Sequence, residues 1–235
     1  MVVAIPEQIS IPPNGWMKLV CLANSIKLGG RCVAGKQLIE GKVGSWIRPV
    51  STPEGGTIVN PRYYRTSAPI AVMDVIELEV VKRIPFLGYQ QENVLVEPLR
   101  WKKAGEYRWD GLDELVDSPS PLWYGDGEKN DRIKLENAKK LRSSLRLIKV
   151  TQPDIFVQSG VFGNVLRTRF IYEDMEHNLA ITDPIAREKY LSGLGGIPKF
   201  PEAYFCVSIG EPFKPHGSVD HQCFKMVAAV IERPE

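Results

Sequence analysis

Basic and aromatic residues alternate through the first third of the chain. The set comprises Lys27, Arg31, Lys36, Lys42, Trp46, Arg48, Arg62, Tyr63, Tyr64 and Arg65. Bases stack on aromatic rings and phosphates pair with Arg or Lys, so this alternation is typical of a groove for single-stranded nucleic acid. Ordinary packing is the open alternative, because Trp46-Ile47 also fits a core strand and PRYYR also fits a surface loop.

Other chemistries have weaker signatures. Cys206, His216, His221 and Cys223 are metal-ligating residue types, but they lack the paired spacing of a structural zinc site. Cys32 alternates with charged residues in RCVAGKQLI, as a core-facing strand residue does. The chain also has no G-x-S-x-G nucleophile motif. We therefore expect no metal and no cofactor, and catalysis is not favoured.

Composition and charge limit the kind of partner. The 235 residues carry a formal net charge of +2, which excludes a polybasic protein that holds nucleic acid by charge alone. Residues 1–90 hold ten Lys/Arg and six Asp/Glu, so the first part of the chain is the better candidate for binding a polyanion. No apolar run approaches the ~20 residues of a membrane span, and the N-terminus has no secretory signal pattern. We therefore expect a cytoplasmic protein that does not bind a membrane.

Turn residues and alternation predict a chain of short strands. Gly (20) and Pro (18) are abundant, and apolar residues recur mostly with a period of two, clearest in MDVIELEVV at 73–81. About ten strands are expected, with a seam between residues 100 and 150. This pattern indicates an all-β fold of two small antiparallel barrels or sandwiches.

One short helix is expected, in the second half. Asp183 is a typical N-cap and Pro184 a typical first-turn residue, and the helix continues from Ile185 to Leu191. The following GLGG, residues 193–196, fits a C-terminal cap better than a phosphate loop. Residues 173–176 are expected to form a hairpin turn.

Several motifs resemble one known family. They begin with CLANSIKLGGRCVAGK at 21–36 and SWIRPVS at 45–51, and continue with MDVIELEVV, YQQENVLVEP, LAITDP, SIGEPF and KMVAAVI. In this order, over residues 17–231, they resemble the dual-OB domain family of bacterial and archaeal proteins. The resemblance implies two OB-like barrels at 17–100 and 144–235. A Trp-rich connecting segment, 101–143, joins them, and an N-terminal extension, 1–16, precedes them.

The resemblance also implies nucleic-acid recognition, with a sensor or accessory role in a prokaryotic defence system. The expected binding residues are the motif positions whose polar ends a strand core does not need: Asn24, Lys27, Arg31, Lys36, Trp46, Arg48, Glu211 and Lys225. In this interpretation a base stacks on Trp46, while Arg31, Lys36 and Arg48 contact phosphates. For Asp183 the helix cap is the favoured role.

Two alternatives stay open beside single-stranded DNA or RNA binding. The first is an enzyme or sensor that holds a nucleotide or modified base between the barrels. The second is a protein-interaction module that uses the Trp-rich residues 100–125 as its contact surface.

Overall fold

The fold consists of two β-rich units. The computed structural model describes residues 9, 11–27, 29–97, 100–117, 121–123, 130–160, 163–192, 196–215 and 217–233. The chain divides into Met1–Leu115 and Val116–Glu235. Strands dominate both units, so the predicted all-β class is confirmed.

The first unit contains a closed five-stranded barrel. The strands of this unit are β1 (Trp16–Lys27), β2 (Gly30–Ile39), β3 (Lys42–Val50), β4 (Asp74–Arg83), β5 (Asn93–Val96) and β6 (Lys102–Glu106), and the first five form the barrel. They follow the order β1-β2-β3-β5-β4-β6, and β1 also pairs with β4, which closes the ring. The β3–β5 pairing is parallel, and β6 extends the sheet along β4.

Alternation explains which side chains fill this barrel. In β4 the residues Ile76, Leu78 and Val80 are buried in the core, while the intervening glutamates are half-buried on the other face. Gly35 on β2 lies so close to β1 that a Cβ atom would stand 1.9 Å from the Val20 carbonyl oxygen. Glycine is therefore required there for the two strands to approach.

The second unit repeats the same connectivity. Its strands are β7 (Arg132–Lys134), β8 (Leu145–Thr151), β9 (Asp154–Gly160), β10 (Gly163–Tyr172), β11 (Met175–Ile181), β12 (Glu202–Phe213) and β13 (Gln222–Ile231). The sheet follows β8-β12-β13-β11-β10-β9, with β7 added to β13. Its two ends, β8 and β9, are consecutive in the chain and are separated only by Gln152 and Pro153. Taken as one interrupted strand, β8–β9 corresponds to β1, and the parallel β11–β13 pair corresponds to β3–β5.

Local signals account for the turn and the helix of the second unit. Glu173 and Asp174 both have positive φ and join β10 to β11, as predicted for a hairpin turn. Helix α2 (Pro184–Leu191) begins where expected, and Asp183 caps it by accepting hydrogen bonds from the Ile185 and Ala186 backbone N–H groups.

The described residues form two short helices besides the one helix of the predicted fold. They are a 3-10 helix at Trp109–Leu115 and α1 at Leu135–Ala138. They have seven and four residues, so neither carries the extended apolar periodicity that reveals a helix in a sequence. The C-terminal cap expected at residues 193–196 stays a prediction, because residues 193–195 lie outside the described part of the chain.

The segments expected to flank and join the barrels contribute to the sheets. Within 1–16, residues 1–8 and 10 lie outside the described part of the chain, while Ile9 and Ile11 pack against the core of the first barrel. Within 101–143, β6 pairs in the first sheet and β7 in the second.

Candidate nucleic-acid interface

Three of the expected binding residues lie on the outer face of the first barrel. Lys36 on β2 and Trp46 on β3 are cross-strand partners, and the Lys36 Nζ lies 5.6 Å from the centre of the Trp46 ring. Arg48 follows on the same face of β3, because Ile47 between them points into the core. The structure therefore brings these three side chains together on one face.

This outer face is buried. Lys36 and Trp46 are each 7% exposed and Arg48 is 4% exposed. Arg48 forms an ion pair with Glu92, 3.2 Å from Nη2 to Oε1, and its backbone N–H donates to the Glu92 carbonyl. A buried ion pair fixes geometry strongly, since removal of one partner leaves an uncompensated charge. In this conformation the ring of Trp46 offers almost no surface to a stacking base.

Asn24, Lys27 and Arg31 lie at the β1–β2 hairpin end of the same barrel. The Asn24 amide donates to the Ile70 carbonyl at 2.7 Å, and the Lys27 ammonium donates to the Gly55 carbonyl at 3.0 Å. Arg31 is half-buried and pairs through its backbone with Ile58. The side chains of Asn24 and Lys27 and the backbone of Arg31 thus bind the loop that follows β3, and each of the three residues keeps part of its surface exposed.

The two remaining expected residues belong to the second unit, on the paired strands β12 and β13. Glu211 is exposed near the end of β12. Lys225 on β13 is 2% exposed, and its ammonium donates to the Trp123 carbonyl at 2.6 Å.

Sequence reasoning missed a surface of arginine and phenylalanine on the second sheet. We call it the arginine–aromatic face, and it consists of Arg132, Phe156, Arg167, Arg169, Phe213 and Phe224. Cross-strand pairing places these residues on one side, since Arg167 pairs with Phe156 and Arg132 with Phe224. The opposite side of β10 carries the buried Leu166, Thr168 and Phe170.

Cation–π contacts organise the arginine–aromatic face. The guanidinium of Arg169 lies 5.4 Å from the centre of the Phe156 ring, and that of Arg132 lies 4.4 Å from the centre of the Phe224 ring. Phe213 packs against Phe224 with ring centres 6.2 Å apart and is 59% exposed. Within this face Arg169 and Phe213 are exposed, and the other four residues are half-buried.

Arg167 is held by hydrogen bonds to the neighbouring strand β11. Its Nε and Nη2 donate to the side-chain and backbone oxygens of Asn178, each at 2.7 Å. Burial lowers the pKa of Arg167, and the nearby charge of Arg132 acts in the same direction, whereas Asp131 raises it. Arg132 and Asp131 therefore lie within electrostatic range of Arg167.

Comparison with known proteins identifies the family. A family model described as the dual OB-containing domain matches residues 17–230. The chain belongs to the dual OB-containing domain family. No curated protein and no solved structure matches the chain.

Membership of the dual OB-containing family points to nucleic-acid or oligomer binding in general. OB barrels bind oligonucleotides and oligosaccharides on the face of their second and third strands and on adjoining loops. In this dual OB-containing chain that face carries Lys36, Trp46 and Arg48 in the first barrel. In the second unit the corresponding strands are β10 and β11, and their outer face carries Arg167 and Arg169.

The structure also bears on three other features considered from the sequence: the Trp-rich segment, a metal site and a membrane span. In the Trp-rich segment, Trp101 and Trp123 are buried and Trp109 is half-buried, while residues 118–120 and 124–129 lie outside the described part. Among the described residues, His, Cys, Asp and Glu side chains form no group of three that would hold a metal ion; His216 is not among them. Within those same residues, every helix is too short or too polar to cross a membrane.

Proposed function

We propose that this chain binds single-stranded nucleic acid through the arginine–aromatic face of its second barrel. The observation that carries the proposal is the alternation of Arg132, Arg167 and Arg169 with Phe156, Phe213 and Phe224 on one face, where Arg169 and Phe213 are exposed and the other four are half-buried. Every base has a π-face that stacks on an aromatic ring or a guanidinium plane, and every nucleotide carries a phosphate that pairs with arginine. The face supplies both kinds of contact.

Single strands suit this face better than a duplex. The bases of a duplex are stacked on one another and present only their edges, whereas unpaired bases can lie flat on Phe213. The phosphates must compete with carboxylates already in place, because Arg132 pairs with Asp131 at 2.7 Å and Arg169 with Glu176 at 3.5 Å. Binding should therefore be modest and sensitive to salt.

The residues of the first barrel that were expected to bind nucleic acid have two different roles. Lys27 and Arg31 remain partly exposed and supply a second contact for phosphates. Lys36, Trp46 and Arg48 hold the buried face of that barrel together through the cation–π contact and the Glu92 ion pair. A sensor role in prokaryotic defence rests on the family resemblance alone.

Fluorescence anisotropy with labelled oligonucleotides of about twelve nucleotides tests the proposal. Three arginines neutralising about three phosphates predict a slope of about −2 when log affinity is plotted against log salt. Phe213→Ala should weaken binding at least fivefold, since a stacked base contributes about 1–3 kcal/mol. Arg169→Ala should weaken binding and make the slope shallower by about 0.7.

Matched controls separate this face from general charge effects. Arg142 is exposed on the second unit outside the face, and Tyr64 is an exposed aromatic residue of the first unit. Arg142→Ala and Tyr64→Ala should leave affinity unchanged. The proposal fails if no oligonucleotide binds at low salt, or if Arg31→Ala abolishes binding while Arg169→Ala has no effect.

A further inference from the structure

A glutamine lies beside the exposed ring of the arginine–aromatic face. Gln222 on β13 is the cross-strand partner of Phe213 on β12, so the two side chains lie on the same side of the sheet. Phe224, two positions along β13, packs against Phe213 on that side. Gln222 is half-buried and keeps part of its surface exposed. A base stacked on Phe213 would therefore have Gln222 near its edge.

Arg132 orients the side-chain amide of Gln222. The Nη1 of Arg132 donates to the Oε1 of Gln222 at 3.2 Å. A guanidinium has donors and no acceptor, so it selects the carbonyl oxygen of the amide and leaves the NH2 group to other partners. Arg132 is itself fixed, because it donates to both carboxylate oxygens of Asp131, at 2.7 and 2.9 Å, and lies over the Phe224 ring. Gln222 is thus held as a hydrogen-bond donor.

A second carboxamide on the same side of the sheet is oriented in the same way. Asn178 on β11 is the cross-strand partner of Arg169, and its Oδ1 accepts from the Nε of Arg167 at 2.7 Å. The NH2 group of Asn178 is therefore also left for other partners. Because arginines occupy the carbonyl oxygens of both carboxamides, these two side chains offer a base edge donors. Such donors match the carbonyl oxygens of bases and not their exocyclic amino groups.

We propose that Gln222 recognises the base stacked on Phe213 and favours the carbonyl bases uracil, thymine and guanine over the amino bases cytosine and adenine. This inference rests on the proposed nucleic-acid binding and adds a base preference to it. Uracil and cytosine isolate the contact, because they share one ring size. At C4 uracil has a carbonyl oxygen, which accepts, where cytosine has an amino group, which donates.

Fluorescence anisotropy of the full chain with labelled oligomers of deoxyuridine and of deoxycytidine, each about twelve nucleotides long, tests the preference at neutral pH. The deoxyuridine oligomer should bind about three- to tenfold more tightly, which is the size of one net hydrogen bond. Gln222→Met keeps the length of the side chain, removes the amide and should make the two affinities nearly equal. Gln158→Met, at an exposed glutamine of β9, is the matched control and should keep their ratio.

Arg132→Lys tests the orientation of the amide. Lysine keeps the positive charge but lacks the rigid fork of donors, so Gln222 can turn and the ratio of the two affinities should fall. Equal affinities of the wild-type chain for both oligomers, with binding still weakened by Arg169→Ala, would overturn the base preference alone. Absence of binding to either oligomer would overturn the proposed function with it. Tighter binding of deoxycytidine would also overturn the preference, and would indicate that an acceptor such as Glu211, exposed two positions before Phe213, contacts the base.

Discussion

Acidification should destabilise the second barrel through His177. Burial lowers the pKa of His177 to about 4, and the charge of Lys225 acts in the same direction. The ordinary value is about 6.5, so below pH 6.5 the unfolded chain takes up a proton that the folded chain still excludes. The stability associated with neutral His177 is fully present above about pH 6.5 and is lost as the pH falls towards 4.

The expected size follows from the width of that window. About 2.5 pH units at about 1.4 kcal/mol each give a loss of roughly 3 kcal/mol across the window, or about 2 kcal/mol between pH 6.5 and 5. This is a large share of the free energy of unfolding of a typical protein, which is about 5–15 kcal/mol. Because His177 is almost fully buried, solvent screening reduces the effect little.

Urea unfolding followed by tryptophan fluorescence at several pH values measures this loss. His177→Phe keeps a ring against Phe170, 5.3 Å away, and removes the titrating group. The variant should lose about 2 kcal/mol less than wild type between pH 6.5 and 5. His221→Phe, at an exposed position, should follow the wild type. Parallel pH profiles for wild type and His177→Phe would refute the reasoning.

Three further substitutions test the packing of the two barrels by urea unfolding. Gly35→Ala should cost at least about 2 kcal/mol, because the new Cβ would overlap the Val20 carbonyl; unchanged stability would contradict the close approach of β1 and β2. Asp183→Ala should cost about 1–3 kcal/mol, because it leaves three backbone N–H groups without their carboxylate acceptor, and Asp183→Asn should recover part of that loss. Arg48→Met should cost about 3–5 kcal/mol by leaving Glu92 buried without its cation, and the double change with Glu92→Leu should be milder than the single one.

Much of the fold is visible in the sequence because strand periodicity is local. The alternation of 73–81 gives β4, and the Asp183-Pro184 pair gives the start of α2. Strand β6 was missed because all five residues of KKAGE are exposed, so no apolar alternation marks it. Its pairing with β4 depends on backbone hydrogen bonds, which any sequence without proline can make.

The site was harder to predict because it depends on contacts between distant parts of the chain. Strand periodicity places Trp46 and Arg48 on one side of β3 and Ile47 on the other. It does not show whether the outer side of the barrel is covered by other residues. The arginine–aromatic face joins Arg132 to Phe224 across ninety-two positions, and its six residues lie on five strands, β7, β9, β10, β12 and β13. The local signal available was the spacing of Arg167 and Arg169 in VLRTRF, where both occupy outward positions.

The positive charge of the first ninety residues favours the first barrel as the site of binding. However, surface charge and an accessible stacking surface are different properties. The two barrels share one connectivity and differ in how the outer face of the second and third strands is used. In the first barrel, Lys36 on that face makes a cation–π contact with Trp46, and Arg48 makes an ion pair with Glu92. In the second, Arg169 on that face remains more than half exposed, as does Phe213 on β12. If the shared fold alone conferred binding, variants of either face would weaken it equally. If accessibility decides, loss of binding will follow the second face, and substitutions on the first will act through stability.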